Sequence, residues 1–250
     1  MTNTLTGPVV RSGTGAEVTF ENLEISGATS GINTQPGHGI ECAMGSLGTL
    51  RLVDMQIQRN AGAGLASHGC TFEATRTEFR ENRQAISAVD CKGTVSRSVI
   101  TGNTSGGMFL DAGLYAIRNC FVFRNGGVGI EIYPSSPGNV VELNTIVDNT
   151  TGIGCISDVT TSGAFANNII VRNTANTDGN PACTHPGSII MGDAAALKFK
   201  SPDVAPFDYH ITVGSIAIDQ ATPASTALTD YDGEPRPSGA ARDVGADELH

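Results

Sequence analysis

An asparagine recurs through the middle of this chain at a nearly fixed interval: Asn60, Asn82, Asn103, Asn125, Asn149 and Asn173, in steps of 22, 21, 22, 24 and 24 residues. Self-similarity at a fixed period constrains a fold more than any local propensity, because each repeat is one unit that cannot bury its apolar face alone. Three positions before each asparagine stands a large apolar residue: Ile57, Phe79, Ile100, Val122, Ile146 and Ile170. Eight positions before it comes a second column, Leu52, Ala74, Val95, Ile117, Val141 and Phe165. A third follows four or five positions later, Leu65, Ile86, Met108, Ile130 and Ile153, usually behind a glycine such as Gly64, Gly107, Gly129 or Gly152. An earlier coil fits through Phe20 and Ile25, with Ala28 in the asparagine position, and a ten-residue excess after it reads as a loop within 29–38.

Three apolar columns per repeat predict three short strands per coil. The chain turns between them at Asn and Gly positions that tolerate left-handed backbone. Successive coils then pair in parallel about 4.8 Å apart. The fold expected is an all-β, right-handed parallel β-helix of about seven coils, with the asparagine amides stacked so that each is satisfied when buried. A leucine-rich repeat shares the period. It demands a leucine-dominated consensus, whereas these columns mix Ile, Val, Phe and Ala, and Gly-Gly or Asn-Gly stands where a helix would be needed. The periodicity fades after Asn173 into a loop around Asp178–Cys183 and a short apolar run, Ser188-Ile189-Ile190-Met191. From 201 onward Pro, Asp and Gly dominate. The expected division is a β-helix over 1–200 and a capping tail over 201–250 packed on it and closing the open end of the stack, where strand edges are otherwise unpaired.

Lysine and arginine total 15 against 25 acidic residues, a formal charge of -10. That balance argues against nucleic acid as a partner, since phosphate binding needs a clustered positive field. No stretch approaches the ~20 apolar residues of a membrane helix. Met1-Thr2-Asn3-Thr4 lacks the basic start and apolar core of a secretory signal. The pattern begins part-way through a coil, so a shortened chain is expected. Six cysteines suit an oxidising compartment. Cys70 and Cys91 each lie twelve residues ahead of their asparagine, so they form either a disulfide or a stacked pair of thiols. Cys155 and Cys183 could tie the late loop to the last coil. Cys42 and Cys120 have no mate in the register.

The tail is the more specific part of the sequence. It carries Asp208-Tyr209-His210-Ile211, then Gly214-Ser215-Ile216-Ala217-Ile218-Asp219, then Asp230-Tyr231-Asp232-Gly233-Glu234-Pro235-Arg236-Pro237, and last Asp243-Val244-Gly245-Ala246-Asp247-Glu248. With the coils over 18–173, it resembles bacterial secreted right-handed parallel β-helix proteins of the pectate-lyase-like superfamily. The tail is similar to the S-P-A-I-D, D-x-D-G-x-P-R, D-x-G-A-x-E segment that often precedes their surface anchors. Ile216 stands for the usual Pro and Asp247 for the usual aromatic. The resemblance implies an extracellular or cell-surface protein. It does not assign a role, because the superfamily includes lyases, glycosidases, epimerases and adhesins.

In β-helix carbohydrate enzymes the site lies outside one sheet and its flanking loops. Here the outward column beside the first strand is Arg51, Glu73, Thr94, Ala116, Val140 and Ala164, charged only in the early coils. The next turn adds Asp54, Arg76 and Arg97, with Arg118 one place earlier, and His68, Asp90, Lys92 and Asp111 precede the strand. A lyase of an acidic polymer needs a base, a neutraliser for the carboxylate, and cations to hold the chain. Lys92 or Arg51 would be the base, with Glu73 beside them. His68, Arg76, Arg97 and Arg118 would bind substrate, and Asp90 and Asp111 would hold Ca²⁺ through oxygen ligands. A glycosidase would instead pair two carboxylates, such as Glu73 and Asp90. Alternating charge is also what an ordinary solvated sheet carries, because like charges stacked about 5 Å apart repel. Asp230-Tyr231-Asp232-Gly233 reads either as the start of a calcium loop or, more simply, as a turn of solvated acids. The expectation is therefore a monomeric, secreted or surface module that binds a polysaccharide or surface glycan or serves a structural or display role, with a polysaccharide lyase as the alternative.

Overall fold

The structure, a computed structural model, describes residues 8–12, 17–29, 37–42, 48–134, 138–156, 165–180, 183–222 and 225–250. Ala164 and most of the 29–38 excess fall outside the described residues. Three parallel sheets run along the stack. Sheet A passes from Val10–Ser12 through Ile40–Cys42, Ala63–His68, Gln84–Val89, Gly106–Asp111, Val128–Tyr133 and Thr151–Cys155 to Ala175–Thr177. Sheet B passes from Val18–Glu21 through Thr49–Val53, Thr71–Thr75, Lys92–Ser96 and Leu114–Arg118 to Val140–Glu142. Sheet C passes from Glu24–Ser26 through Gln56–Gln58, Glu78–Arg80, Val99–Thr101, Phe121–Phe123, Thr145–Val147 and Ile169–Val171 to Ile189–Met191. With eight described rungs in A and C and six in B, the count is close to the expected seven. This is a parallel β-helix, with the right-handed crossover that parallel connections take. No helix among the described residues is long and apolar enough to cross a membrane.

The apolar columns occupy consecutive rungs in register. Leu52, Ala74, Val95, Ile117 and Val141 pair in sequence in sheet B, as do Ile57 through Ile170 in sheet C and Leu65 through Ile153 in sheet A. All of these side chains are fully buried, each contributing about 1.5–3 kcal/mol when large. Beside them the asparagines are linked amide to amide. Asn60 Nδ2 donates to Asn82 Oδ1 at 2.9 Å, and the same bond continues through Asn103, Asn125, Asn149 and Asn173 at 2.9–3.2 Å. The left-handed residue is not the asparagine, as the sequence suggests, but its predecessor: Arg59, Glu81, Gly102, Arg124, Asp148 and Arg172 all have φ between 54° and 65°. The asparagine itself has no positive φ, and its amide is buried.

The expected Cys155–Cys183 tie is present, and the Cys70–Cys91 pairing is corrected. Cys42 bonds Cys70 and Cys155 bonds Cys183, with Cα–Cα distances of 6.4 and 6.3 Å, while Cys91 and Cys120 are buried free thiols. Cys42 enters sheet A opposite Ser67, close enough to take Cys70 from Cys91.

After the last coil, Phe199–Ser201 and Asp208–Ile211 form an antiparallel pair. The tail then lies along the side of the stack, against sheet C, rather than chiefly over its end. Its Tyr209, Ile211, Ala217, Val244 and Ala246 bury Phe121, Phe123, Val147, Ile169 and Val171, the outward residues of the later sheet C strands. Those strands are apolar on both faces for that reason.

Candidate functional site

Sheet B and its edges carry the residues singled out in the sequence. Arg51 Nη1 lies 2.7 Å from Glu17 and its Nε 3.3 Å from Glu73, so the arginine joins three successive rungs. Lys92 is exposed, with Thr71 and Leu114 as its neighbours in register. His68 Nε2 stands 3.8 Å from Asp90, both half exposed. Asp90 follows Val89, which pairs with both His68 and Asp111, so Asp90 and Asp111 occupy adjacent columns and not one. Neither belongs to the groups of His, Cys, Asp and Glu that converge closely among the described residues.

The three arginines lie around the turn between sheets B and C. Arg76 is bidentate on Asp54, 2.7 Å for each bond, and this hydrogen bonding holds the Asp54 carboxyl below its ordinary pKa. Arg118 Nε bonds Glu142 at 2.6 Å. Arg97 reaches 135 residues along the chain, donating to the backbone oxygens of Tyr231 and Asp232 at 3.0 and 2.7 Å.

That last contact marks a groove absent from the sequence reading. Where the tail leaves sheet C, it encloses two adjoining hollows that share Glu78, Val99 and Tyr231. The first, about 560 Å³, is edged by Asp54, Arg76, Arg97 and Asp232. The second, about 630 Å³, is floored by Val99, Thr101, Phe121 and Phe123 and walled by Phe207, Tyr209 and His210, with Glu78 and Arg80 at its rim. Phe121 meets Tyr231 edge-on at 4.7 Å, Phe123 meets Tyr209 at 4.8 Å, and Arg124 caps Phe207 at 3.6 Å. Burial pushes both Tyr209 and Tyr231 up to about 12, which keeps them neutral phenols. Arg76 and Arg97 line this groove; Arg51, Glu73, Lys92, His68, Asp90, Asp111 and Arg118 do not.

The tail motifs themselves are structural. Asp230 Oδ1 accepts the N–H groups of Gly233 and Glu234, and its Oδ2 accepts that of Glu248. A carboxylate engaged by three backbone donors supports the turn reading of this stretch over the calcium loop. Arg236 is fully buried, 3.2 Å from the equally buried Glu248 and bonded to the carbonyls of Asp243 and Gly245.

Stacked parallel coils and a lateral groove place the molecule in the parallel β-helix class. A family model described as "Periplasmic copper-binding protein (NosD)" matches residues 6–183, and the chain belongs to that family. Among solved structures, the crystal structure of pectate lyase Pel9A aligns with a TM-score of 0.42 and 13% identity, over 98% of this chain and 86% of that one. A comparison with curated proteins gives no match.

Proposed function

We propose that this chain is a secreted or surface glycan-binding module whose binding surface is the groove between sheet C and the tail. The observation that carries the reading is the groove's make-up. Sugars are bound by apolar ring faces that stack on the C–H side and by charged or amide groups that bond the hydroxyls. Phe207 and Tyr231, both part exposed, supply the first; Arg76, Arg80, Glu78 and Asp232 supply the second. The hollows adjoin in a line, which suits a polymer more than a compact metabolite.

The family's name speaks of copper, and the segment that matches it does not assemble copper donors among the described residues. Copper selects thiolate, thioether and imidazole. Met55 and Met108 are core residues, and Cys42–Cys70 and Cys155–Cys183 are disulfides. Cys120, whose pKa burial pushes up to about 12, donates to the carbonyls of Val95 and Arg118. His38 Nδ1 accepts the Ala63 N–H at 2.9 Å. Among the described residues of that segment, no set of such donors converges on one point. The lyase reading on sheet B has less support than the groove: Arg51 is divided between two glutamates, and Lys92 lines neither hollow of the groove.

The test is retention on immobilised acidic and neutral polysaccharides, with absorbance of unsaturated products followed in parallel. Binding should fall at least ~10-fold in Thr101→Trp, which fills the groove, and several-fold in Arg80→Ala, while Lys92→Ala and Arg51→Ala bind as the parent does. Failure to retain any glycan would end the proposal. Release of unsaturated product, lost in Lys92→Ala, would establish the lyase instead.

A further inference from the structure

Where the two hollows meet, three segments of the tail bring an imidazole and two carboxylates together. His210 Nε2 lies 3.0 Å from Asp232 Oδ2, and these two atoms and a carboxylate oxygen of Asp247 all lie within 4.8 Å of one another. The imidazole is fixed by its other nitrogen: Nδ1 faces Asp208 Oδ1, and Lys200 holds the second Asp208 oxygen at 3.1 Å. The ring is packed edge-on against Phe121 at 4.9 Å. Asp247 is 6% exposed and is oriented by the Ile211 N–H, which donates to its Oδ2 at 2.7 Å.

Nε2 has no surface open to solvent and no aligned hydrogen bond, although a carboxylate oxygen stands 3.0 Å away. When the Nδ1 hydrogen is given to Asp208 and no second proton is bound, Nε2 presents a lone pair. The Nε2 axis is not aimed at the Asp232 oxygen, so a direct N–H···O bond does not form, and a cation set beside both atoms would satisfy the nitrogen and the carboxylates together. A tetrahedral first-row ion bound at about 2.0–2.2 Å by nitrogen and oxygen sets its donor atoms about 3.3–3.6 Å apart, a few tenths of an ångström beyond the 3.0 Å between Nε2 and Asp232 and inside the 4.8 Å that spans all three donors. A carboxylate on the far nitrogen of a ligating histidine is the usual second support of such sites.

We propose that His210, Asp232 and Asp247 form a site for a divalent first-row transition-metal ion of the zinc type, cross-linking three segments of the tail at the groove wall. One imidazole with two carboxylates selects such an ion over Ca²⁺, which takes an all-oxygen shell. Half-exposed Asp232 leaves room for water as a further ligand. The neighbouring trio of Asp230, Glu234 and His250 is different, because the Asp230 carboxylate is already taken by three backbone N–H groups. The site stands whether or not the groove binds glycans.

The experiment is calorimetric titration of the chelator-treated full chain with ZnCl₂, and separately with CaCl₂, together with thermal unfolding and zinc-edge absorption spectroscopy. One Zn²⁺ per chain is expected, raising the unfolding temperature, with a nitrogen-and-oxygen shell free of sulfur and no comparable response to Ca²⁺. His210→Gln should lose binding at least ~100-fold, and Asp208→Asn, a positioning change, about 10- to 100-fold. His250→Gln should change neither stoichiometry nor affinity. If His210→Gln does not fold, Asp232→Asn at its half-exposed position decides the matter by a loss of at least ~10-fold. No Zn²⁺ uptake by the parent, or unchanged uptake after removal of the His210 or Asp232 ligand, would overturn the site.

Discussion

The residue ahead of each ladder asparagine takes a left-handed backbone whether it is Arg, Glu, Asp or Gly. For a residue with a Cβ that conformation costs about 1–2 kcal/mol. It persists because the backbone is over-determined: Glu81 N bonds Thr101 O at 3.2 Å and Arg124 N bonds Val147 O at 3.2 Å, while the next residue's amide is locked from both sides. The asparagine therefore carries the turn. Asn103 Oδ1 accepts both the backbone N–H and the side-chain amide of Asn82, at 3.0 and 3.2 Å. Asn103→Ala leaves two buried donors on Asn82 without a partner, each costing about 1–3 kcal/mol. We expect a total loss near ~3 kcal/mol, read by urea unfolding. A loss under ~1 kcal/mol would mean that the amides fill space rather than satisfy the turn.

At the scale of elements, the late loop shows what the coils cannot hold alone. Cys155 closes a sheet A strand and Cys183 lies 28 residues on, beyond the last regular rung of that sheet. A crosslink over such a loop contributes about 3 kcal/mol by restricting the unfolded chain. Cys155→Ser should lower stability by about that amount and leave the early rungs intact by circular dichroism; an unchanged midpoint would show the loop to be held without the bond. The same scale explains what the sequence displayed and what it hid. The three inward columns were legible because one residue per rung repeats at a fixed phase. A second polar column at the turn into sheet C was not, because its occupants change. Ser98 Oγ, Asn144 Oδ1, Asn168 Oδ1 and Ser188 Oγ each accept the N–H of the coil before, at 2.9–3.1 Å, so hydroxyl and amide share the column without a visible consensus. Cys42 was unreadable because the irregular 29–38 stretch breaks the count ahead of it. The groove left one trace: the outward positions of sheet C change from Glu78 and Arg80 to Phe121 and Phe123, then Ile169 and Val171, a sign that something covers the later coils. The identity of that cover, and the convergence of Arg97 on Asp232 across 135 residues, follow from packing that no local pattern encodes.

At the scale of the whole molecule, a solenoid is a chain of nearest-neighbour contacts, and each coil can loosen with only its neighbours. The tail breaks that rule. It receives Arg97 at Tyr231 and Asp232, accepts the Asn119 amide at Thr229 O at 2.8 Å, and donates from Ala246 to Thr145 Oγ1 and from Gly245 to Asn167 O, both at 3.0 Å. Four successive coils are thereby strapped to one segment, and that segment is held in shape by the buried Arg236–Glu248 pair. Removing one partner of such a pair strands the other charge and costs about 3–5 kcal/mol. In Arg236→Met the strap should fail before the coils do. Amide exchange in Phe121–Phe123, Thr145–Val147 and Ile169–Val171 should then quicken roughly a hundredfold, the equivalent of about 3 kcal/mol. Thr49–Val53 and Thr71–Thr75, which the tail does not touch, should keep their protection. Equal loss in both sets would mean that the coils already unfold as one body and that the tail adds a groove wall without adding cooperativity.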